Sequence, residues 1–339
     1  MKKSLLALAV LGVFAGTALA QSSVTLFGTV DVSMESVTTK SAAGVSLTDK
    51  RLGNNRQGTS QLSVRGVEDL GGGLTALFLW EGDFDATQQA TNHQAGAQGG
   101  EVYVGLNGRF GKFLMGSPNS PTLIAQANRQ PFGTKLGSGF SPSGGSRGEE
   151  LGSLQVRQNN AIRYDTPNFG GFVASIDAAD ANSNPTKGRV YDLGLTYASG
   201  PLQAFLTYYK ATNGNDKLVT LTGSYNFGPA IVMVGFHKET ASYIPSAAGG
   251  LNGSSNGANI GAKILVSGNL NLLFNYAKLD DKSALNNDRR IVAFGPQYVL
   301  SARSTIYGRY VRETVDNLPV ASAINKSTTA WLMGLQHNF

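Results

Sequence analysis

Along most of this chain, apolar and polar residues alternate one by one. Leu270, Leu272, Phe274 and Tyr276 are interleaved with Asn271 and Asn275, and Tyr191, Leu193, Leu195 and Tyr197 with Asp192, Gly194 and Thr196. A period of two sends successive side chains to opposite faces of an extended strand, so each segment has one apolar and one polar face. The pattern recurs in about sixteen segments, several near the roughly 9–11 residues that a tilted membrane-crossing strand needs. The first is "VTLFGTVDVSM", with Val24, Leu26, Gly28, Val30 and Val32 on one face. The last is "WLMGLQHNF", with Trp331, Met333, Leu335, His337 and Phe339 together.

The connections between these segments decide the architecture. Very short ones, among them "DLGGG", "NGRF", "TPNFGG", "SGP", "GPA", "SGN" and "SARS", alternate with long polar ones. The long ones cover approximately 35–60, 84–99, 118–158, 179–188, 212–216, 240–257, 279–288 and 314–327. A soluble sandwich gives no reason for such strict alternation. An up-and-down antiparallel barrel through a membrane does, because its turns gather at one rim and its loops at the other. The apolar faces then meet lipid and the polar faces a wet interior. An open edge in hydrocarbon would leave backbone groups unpaired, so the last strand is expected beside the first. Trp331 and Phe339, on the outward face of that closing strand, become a candidate assembly signal read by the barrel-assembly machinery.

The first twenty residues break the pattern. Lys2 and Lys3 precede an apolar run from Leu5 to Phe14 and the small-residue exit Gly16-Thr17-Ala18-Leu19-Ala20. This describes a secretory signal peptide over 1–20, cut before Gln21, and the run is too short to span a bilayer as a helix. The barrel would occupy 21–339. An exported chain without a single cysteine must hold its fold without disulfides, as a large hydrogen-bonded sheet can. Its 43 glycines against 11 prolines suit many turns and close strand contacts.

Charge and chemistry narrow the function. Removing Lys2 and Lys3 from the 28 basic residues leaves 26 against 22 acidic ones, a mild and scattered excess. No basic block of the kind a nucleic-acid binder carries is present, so nucleic acid is not an expected partner. The only histidines, His93, His237 and His337, lack metal-ligand spacing, and "GLNGRFGKF" fails as a phosphate loop because Phe113 stands where Ser or Thr is required. Asp280, Asp281 and Asp288 read as a solvated loop rather than a cation site. The sequence therefore offers no catalytic set, metal site or cofactor site, and an outer-membrane barrel enzyme has nothing to work with. A secreted β-sandwich adhesin would not need the alternating loop lengths.

Five ordered segments carry a family resemblance: "QSSVTLFGTVD", "VRGVEDLGGGLTALFLWE", "YVGLNGRFGKFLMG", "NAIRYDTPNFGGF" and "GLQHNF". Together they resemble the general porins of β-proteobacteria, trimeric outer-membrane diffusion channels. The resemblance implies a 16-stranded barrel, a homotrimer, and a third long loop folded into the pore. The expected function is passive passage of small hydrophilic solutes and ions across the outer membrane, among its lipids and lipopolysaccharide. A channel preferring one nutrient class is the alternative.

The residues point to the same loop. The segment 118–158 is the longest connection and carries Arg129, Lys135, Arg147, Glu149 and Glu150. It also holds Leu123, Ile124, Phe132, Leu136 and Phe140, apolar anchors that suit a loop packed on an inner wall better than a free one. The family often has basic residues where Gln61, Gly100 and Ser117 stand here, and arginine where Gln336 sits. Arg65, Arg157 and Arg163 remain as wall candidates, against Glu101. The candidate constriction set is thus Arg65, Glu101, Arg129, Lys135, Glu149, Glu150, Arg157 and Arg163, with a weak anion preference expected.

Overall fold

The computed structural model describes residues 22–88, 99–128, 130–138, 157–180, 188–213, 216–240, 254–282, 286–320, 322 and 325–339. The candidate signal peptide lies outside them, as do Arg129, Phe140, Arg147, Glu149 and Glu150.

The first six strands are β1 (Ser23–Ser41), β2 (Ser46–Asn54), β3 (Gln61–Gly71), β4 (Leu74–Asp83), β5 (Val102–Gly108) and β6 (Gly111–Ser117). Helix α1 (Pro121–Asn128) follows, then β7 (Ala161–Asp165), β8 (Phe172–Ala179), β9 (Val190–Ser199), β10 (Leu202–Ala211), β11 (Lys217–Asn226) and β12 (Ala230–Thr240). The last five are β13 (Ser255–Leu265), β14 (Leu270–Asp281), β15 (Arg289–Val299), β16 (Ser304–Val315) and β17 (Asn325–Asn338). Every pairing is antiparallel and joins sequence neighbours, except that β3 pairs with β1 and that β17 returns to pair with β1 from Thr29↔Asn338 to Ser41↔Asn325. The sheet is closed. Its 17 segments make sixteen staves, because β2 and β3 lie end to end along the same side of β1.

The alternation works as read. Leu272, Phe274 and Tyr276 point outward and are exposed, while Asn271 and Asn275 are buried inside. On β17, Trp331, Met333 and Leu335 are each more than half exposed. A closed band of such residues belongs against hydrocarbon, where burial replaces water contact. Phe294, Tyr310 and Trp331 stack across three staves on this outer face, with centroids 5.2 and 4.4 Å apart.

Two connections differ from the sequence reading. The segment 35–60 is not a loop along most of its length: β1 runs on to Ser41, and β2 returns as a hairpin extension. Above the lipid neither face of a strand needs to be apolar, so "SLTDKRLGN" lacks the alternation that marks the other strands. After Asn54 the chain dips inward over residues 55–60 before β3 resumes the stave, and Asn55 adopts a left-handed φ of 63° to begin the dip. The third long connection contains α1, an eight-residue helix and the one helix among the described residues.

Candidate functional site

Inside the barrel, the third connection follows the wall in two parts. Helix α1 lies against β8 to β11. Thr122 donates its backbone N–H and its hydroxyl to the Asp192 carboxylate at 3.1 and 2.7 Å. Gln126 Nε2 donates to Thr220 at 3.0 Å, and the Thr222 hydroxyl donates to the Ala125 carbonyl at 3.2 Å. Leu123 packs with Val190, Tyr209, Ala211 and Leu218. Gly194 makes the approach possible, because a Cβ there would sit 2.7 Å from Pro121 Cβ.

Residues 130–138 then cross to the opposite wall. Phe132 and Leu136 join an apolar cluster with Leu273, Ala277, Ile291, Ala293, Tyr307 and Val311, all inward-facing. Asn275 Nδ2 donates to Gln130 Oε1 at 3.0 Å and to the Gly137 carbonyl at 3.1 Å. Of the expected anchors, Leu123, Phe132 and Leu136 are buried, and Ile124 is half-buried. The loop is therefore folded into the lumen and attached on both sides.

The inward dip at 55–60 meets this loop. Asp31 of β1 accepts the backbone N–H groups of Gln57 and Gly58 at 2.5 and 2.9 Å, and the Tyr307 hydroxyl at 2.5 Å. Glu35, whose side chain is fully buried, takes Arg56 in a two-pronged pair at 2.8 and 2.9 Å and Arg51 at 2.6 Å. Arg309 of β16 joins the dip to the loop, donating to the Leu136 carbonyl at 2.6 Å, to the Arg56 carbonyl and to Gln57 Oε1. Its guanidinium lies 4.5 Å over the Phe132 ring. Lys135 Nζ donates to the Thr59 hydroxyl, completing the contact. Burial pushes the Lys135 ammonium down to about 8, against the opposing pull of Asp83 and Asp31.

The charged residues on the remaining wall, β3 to β7, face the gap the loop leaves. Arg65 points inward on β3, 5.4 Å over the Phe27 ring and away from the loop. Glu101 accepts the Asn119 N–H at 2.7 Å, while Arg163 donates to the Asn119 carbonyl at 2.5 Å and to Asp165 at 2.9 Å. Arg157 does not lie in β7: it forms a single bridge with Asn119 and donates to the Gly99 carbonyl at 3.3 Å. Glu101, Arg157 and Arg163 thus converge on Asn119, Lys135 and Arg157 both act on Asp83, and Arg65 lies beside Phe27. Gln61, where the family often has a cation, donates instead to Glu81 Oε1 at 2.9 Å.

Sequence reasoning missed Arg56 and Arg309. Arg309 had a signal, since it shares the parity of Tyr307, Val311 and Glu313 on the inward face of β16. Arg56 had none, because only the non-local dip carries it inward. Glu81 and Asp83 were also passed over, although both lie on the polar face of β4.

The comparisons with known proteins agree with this geometry. The chain matches the Gram-negative porin family over residues 7–318. It is 35% identical over 331 residues to outer membrane porin protein 32 of Delftia acidovorans, covering 91% of this chain and 88% of that protein. A Bordetella pertussis outer membrane porin is 26% identical, with both chains fully covered. Among solved structures, the anion-selective porin from Comamonas acidovorans superposes with a TM-score of 0.75 at 28% identity, covering 94% of this chain and 100% of that one. A trimer form of a Vibrio cholerae outer membrane protein, 13% identical, shares the fold at a TM-score of 0.65 over 94% of this chain and 99% of its own. A closed barrel with lipid-type residues outside and a loop tethered across its lumen is a channel rather than an enzyme, and the chain belongs to the family of Gram-negative outer-membrane porins.

Proposed function

We propose that the narrowest part of this porin lies between residues 130–138 of the third loop and the β3–β7 wall, and that it weakly favours small anions. The observation that carries this reading is the gathering of Lys135 and Arg157 about Asp83, with Glu81, Glu101 and Arg163 beside them. Cations and carboxylates are nearly matched there, so the net field is small. A low-dielectric constriction focuses what field remains onto a passing ion, and salt screens it within about 10 Å at 0.1 M. The anion selectivity named for the Comamonas acidovorans porin supports the sign. Arg65, on the lumen wall away from the loop, and Arg129, Glu149 and Glu150, in the third connection, complete the proposed selectivity set.

The partners follow from the surfaces. Met34, Leu52, Trp331 and Met333 form an exposed apolar face beside the closure, suited to a homotrimer contact, and a neighbour of the same fold is described in a trimer form. The rest of the apolar band meets membrane lipid, and the long-loop rim meets lipopolysaccharide. Residues 1–20 act as the export signal, and Trp331 with Phe339 as the signal for the barrel-assembly machinery.

The test is the reversal potential of single trimers across a salt gradient, for the parent and for Arg157→Gln, which removes a cation whose side chain donates to the Gly99 carbonyl. A modest anion preference is expected in the parent, moving toward cations in the variant and fading as salt rises. A cation-selective parent would show that Glu81, Asp83 and Glu101 dominate the aperture.

A further inference from the structure

The long-loop rim of the outer face is not uniform in charge. On β14 and β15, Lys278 and Arg290 stand directly opposite each other but are neutralised by Asp288 at 3.7 Å and Asp316 at 2.5 Å. Three staves away the arrangement changes. Lys210 of β10 stands directly opposite Lys217 of β11, and Lys238 of β12 lies on the next diagonal, beside Val219 and two residues from the Thr240 that faces Lys217. All three side chains are exposed and flanked by buried neighbours, so all three point outward. Among the described residues none of the three has an ion pair. The acids closest in sequence, Asp216 and Glu239, are buried, and residues 214–215 and 241–253 contain no acid at all.

Like charges directly opposite on a sheet repel, and three of them cost stability unless something anionic sits over them. Beneath the lysines begins the lipid band: Val219, Leu221, Phe236 and Val234, with Tyr191 and Tyr208 at its upper edge. Adjacent strands are about 4.8 Å apart, so the three ammonium groups, on flexible stems, can converge on one phosphate or two neighbouring ones. An occupant must therefore carry negative charge at the level of the rim and acyl chains below it.

We propose that Lys210, Lys217 and Lys238 form a binding site for the phosphorylated headgroup of an outer-leaflet glycolipid, whose acyl chains lie on the apolar face of β10 to β12. This rests on the outer-membrane orientation of the barrel with its long loops outward, and it deepens the lipid contact proposed above by naming its residues and the phosphate as the recognised group. The channel itself takes no part in the site.

The experiment uses the refolded, full-length trimer in detergent, with diphosphoryl lipid A, its dephosphorylated form and phosphatidylglycerol as probes in native mass spectrometry. The parent is expected to retain the diphosphoryl form preferentially. Lys210→Gln/Lys217→Gln/Lys238→Gln should lose about fivefold in affinity per lysine, the usual effect of one basic residue at an anionic surface. Lys278→Gln/Arg290→Gln, at the neutralised part of the rim, should change much less. A parent that binds phosphorylated and dephosphorylated forms equally would overturn the proposal without any variant having to fold. Equal loss in the two variants would overturn it too, by showing general rim charge rather than a site. Single-trimer conductance, read on the same preparations, is expected to be unchanged by the triple substitution, so a failed channel and a failed lipid site are told apart.

Discussion

At the residue scale, Lys135 connects burial to the channel's electrical behaviour. It lies in the third loop rather than in a strand, and burial brings its ammonium from 10.5 to about 8. The neutral form is favoured because a buried charge gives up solvation that the Thr59 hydroxyl only partly replaces. The sign for stability follows from the lowered value. The folded chain releases this proton before the unfolded chain does, so the cost of burying the charge is present below about pH 8 and relieved as pH rises toward 10.5. For conduction the consequence is opposite in kind, since each proton lost removes a cation from the aperture. From pH 7 to pH 9 the charged fraction falls from roughly nine-tenths to roughly one-tenth if the group titrates at about 8. Anion preference, measured by reversal potential, should fall over that interval in the parent and stay flat in Lys135→Arg, whose guanidinium does not titrate. A parent with no such change would mean that Lys135 does not face the ion path.

At the element scale, the third loop is held by specific attachments, and these predict what its removal does. Excising residues 134–148 removes Lys135, Leu136 and Gly137, which leaves the buried Arg309 without the Leu136 carbonyl and Asn275 without the Gly137 carbonyl. Arg309 keeps the Arg56 carbonyl and Gln57, but losing one acceptor of a buried charged group still costs about 1–3 kcal/mol. The deletion is therefore best made together with Arg309→Met, which fills the space without a charge. Single-channel conductance of the combined variant should rise clearly, with trimer yield retained. Unchanged conductance would place the narrowest point elsewhere. These attachments also explain what could be read from the sequence and what could not. Lipid enforces a strict outward alternation, so strands such as β14 and β17 were visible in their outward residues alone. The inward faces are less regular: Leu273, Ile291, Tyr307 and Val311 are apolar because the loop lies on them, a reason that sequence periodicity does not contain. The apolar anchors Leu123, Phe132 and Leu136 were visible for the same reason, being out of place in a solvated loop. The dip at 55–60 was hidden, since it depends on Asp31, Glu35 and Arg309 meeting from distant strands.

At the scale of the whole molecule, stability depends on closing the ring, because in hydrocarbon an unclosed edge leaves a full row of backbone groups unpaired. The closing ladder between β1 and β17 reaches to the last residue: Phe339 donates its N–H to the Gly28 carbonyl at 3.0 Å, and Gly28 donates to the Phe339 carbonyl at 3.1 Å. The Phe339 ring lies over the bare Cα of Gly28, where a Cβ would sit 2.5 Å from the ring. Glycine at position 28 and phenylalanine at 339 thus fit one another, and both lie at the short-turn end, where the strands first meet the membrane interface. Two changes separate the ring's contribution from the backbone's. Phe339→Ser keeps the paired amide and loses the ring, while Gly28→Val keeps the ring and denies it its seat. Each is expected to lower the yield of heat-modifiable folded trimer from outer membranes while leaving export intact, which periplasmic recovery of processed chain would show. Gly28→Val is expected to be the more damaging of the two, since a Cβ there would also collide with the Gln61 carbonyl whether or not the ring is present. Normal trimer yield from Phe339→Ser would show that backbone pairing alone closes the barrel, and that the ring serves neither closure nor the assembly machinery.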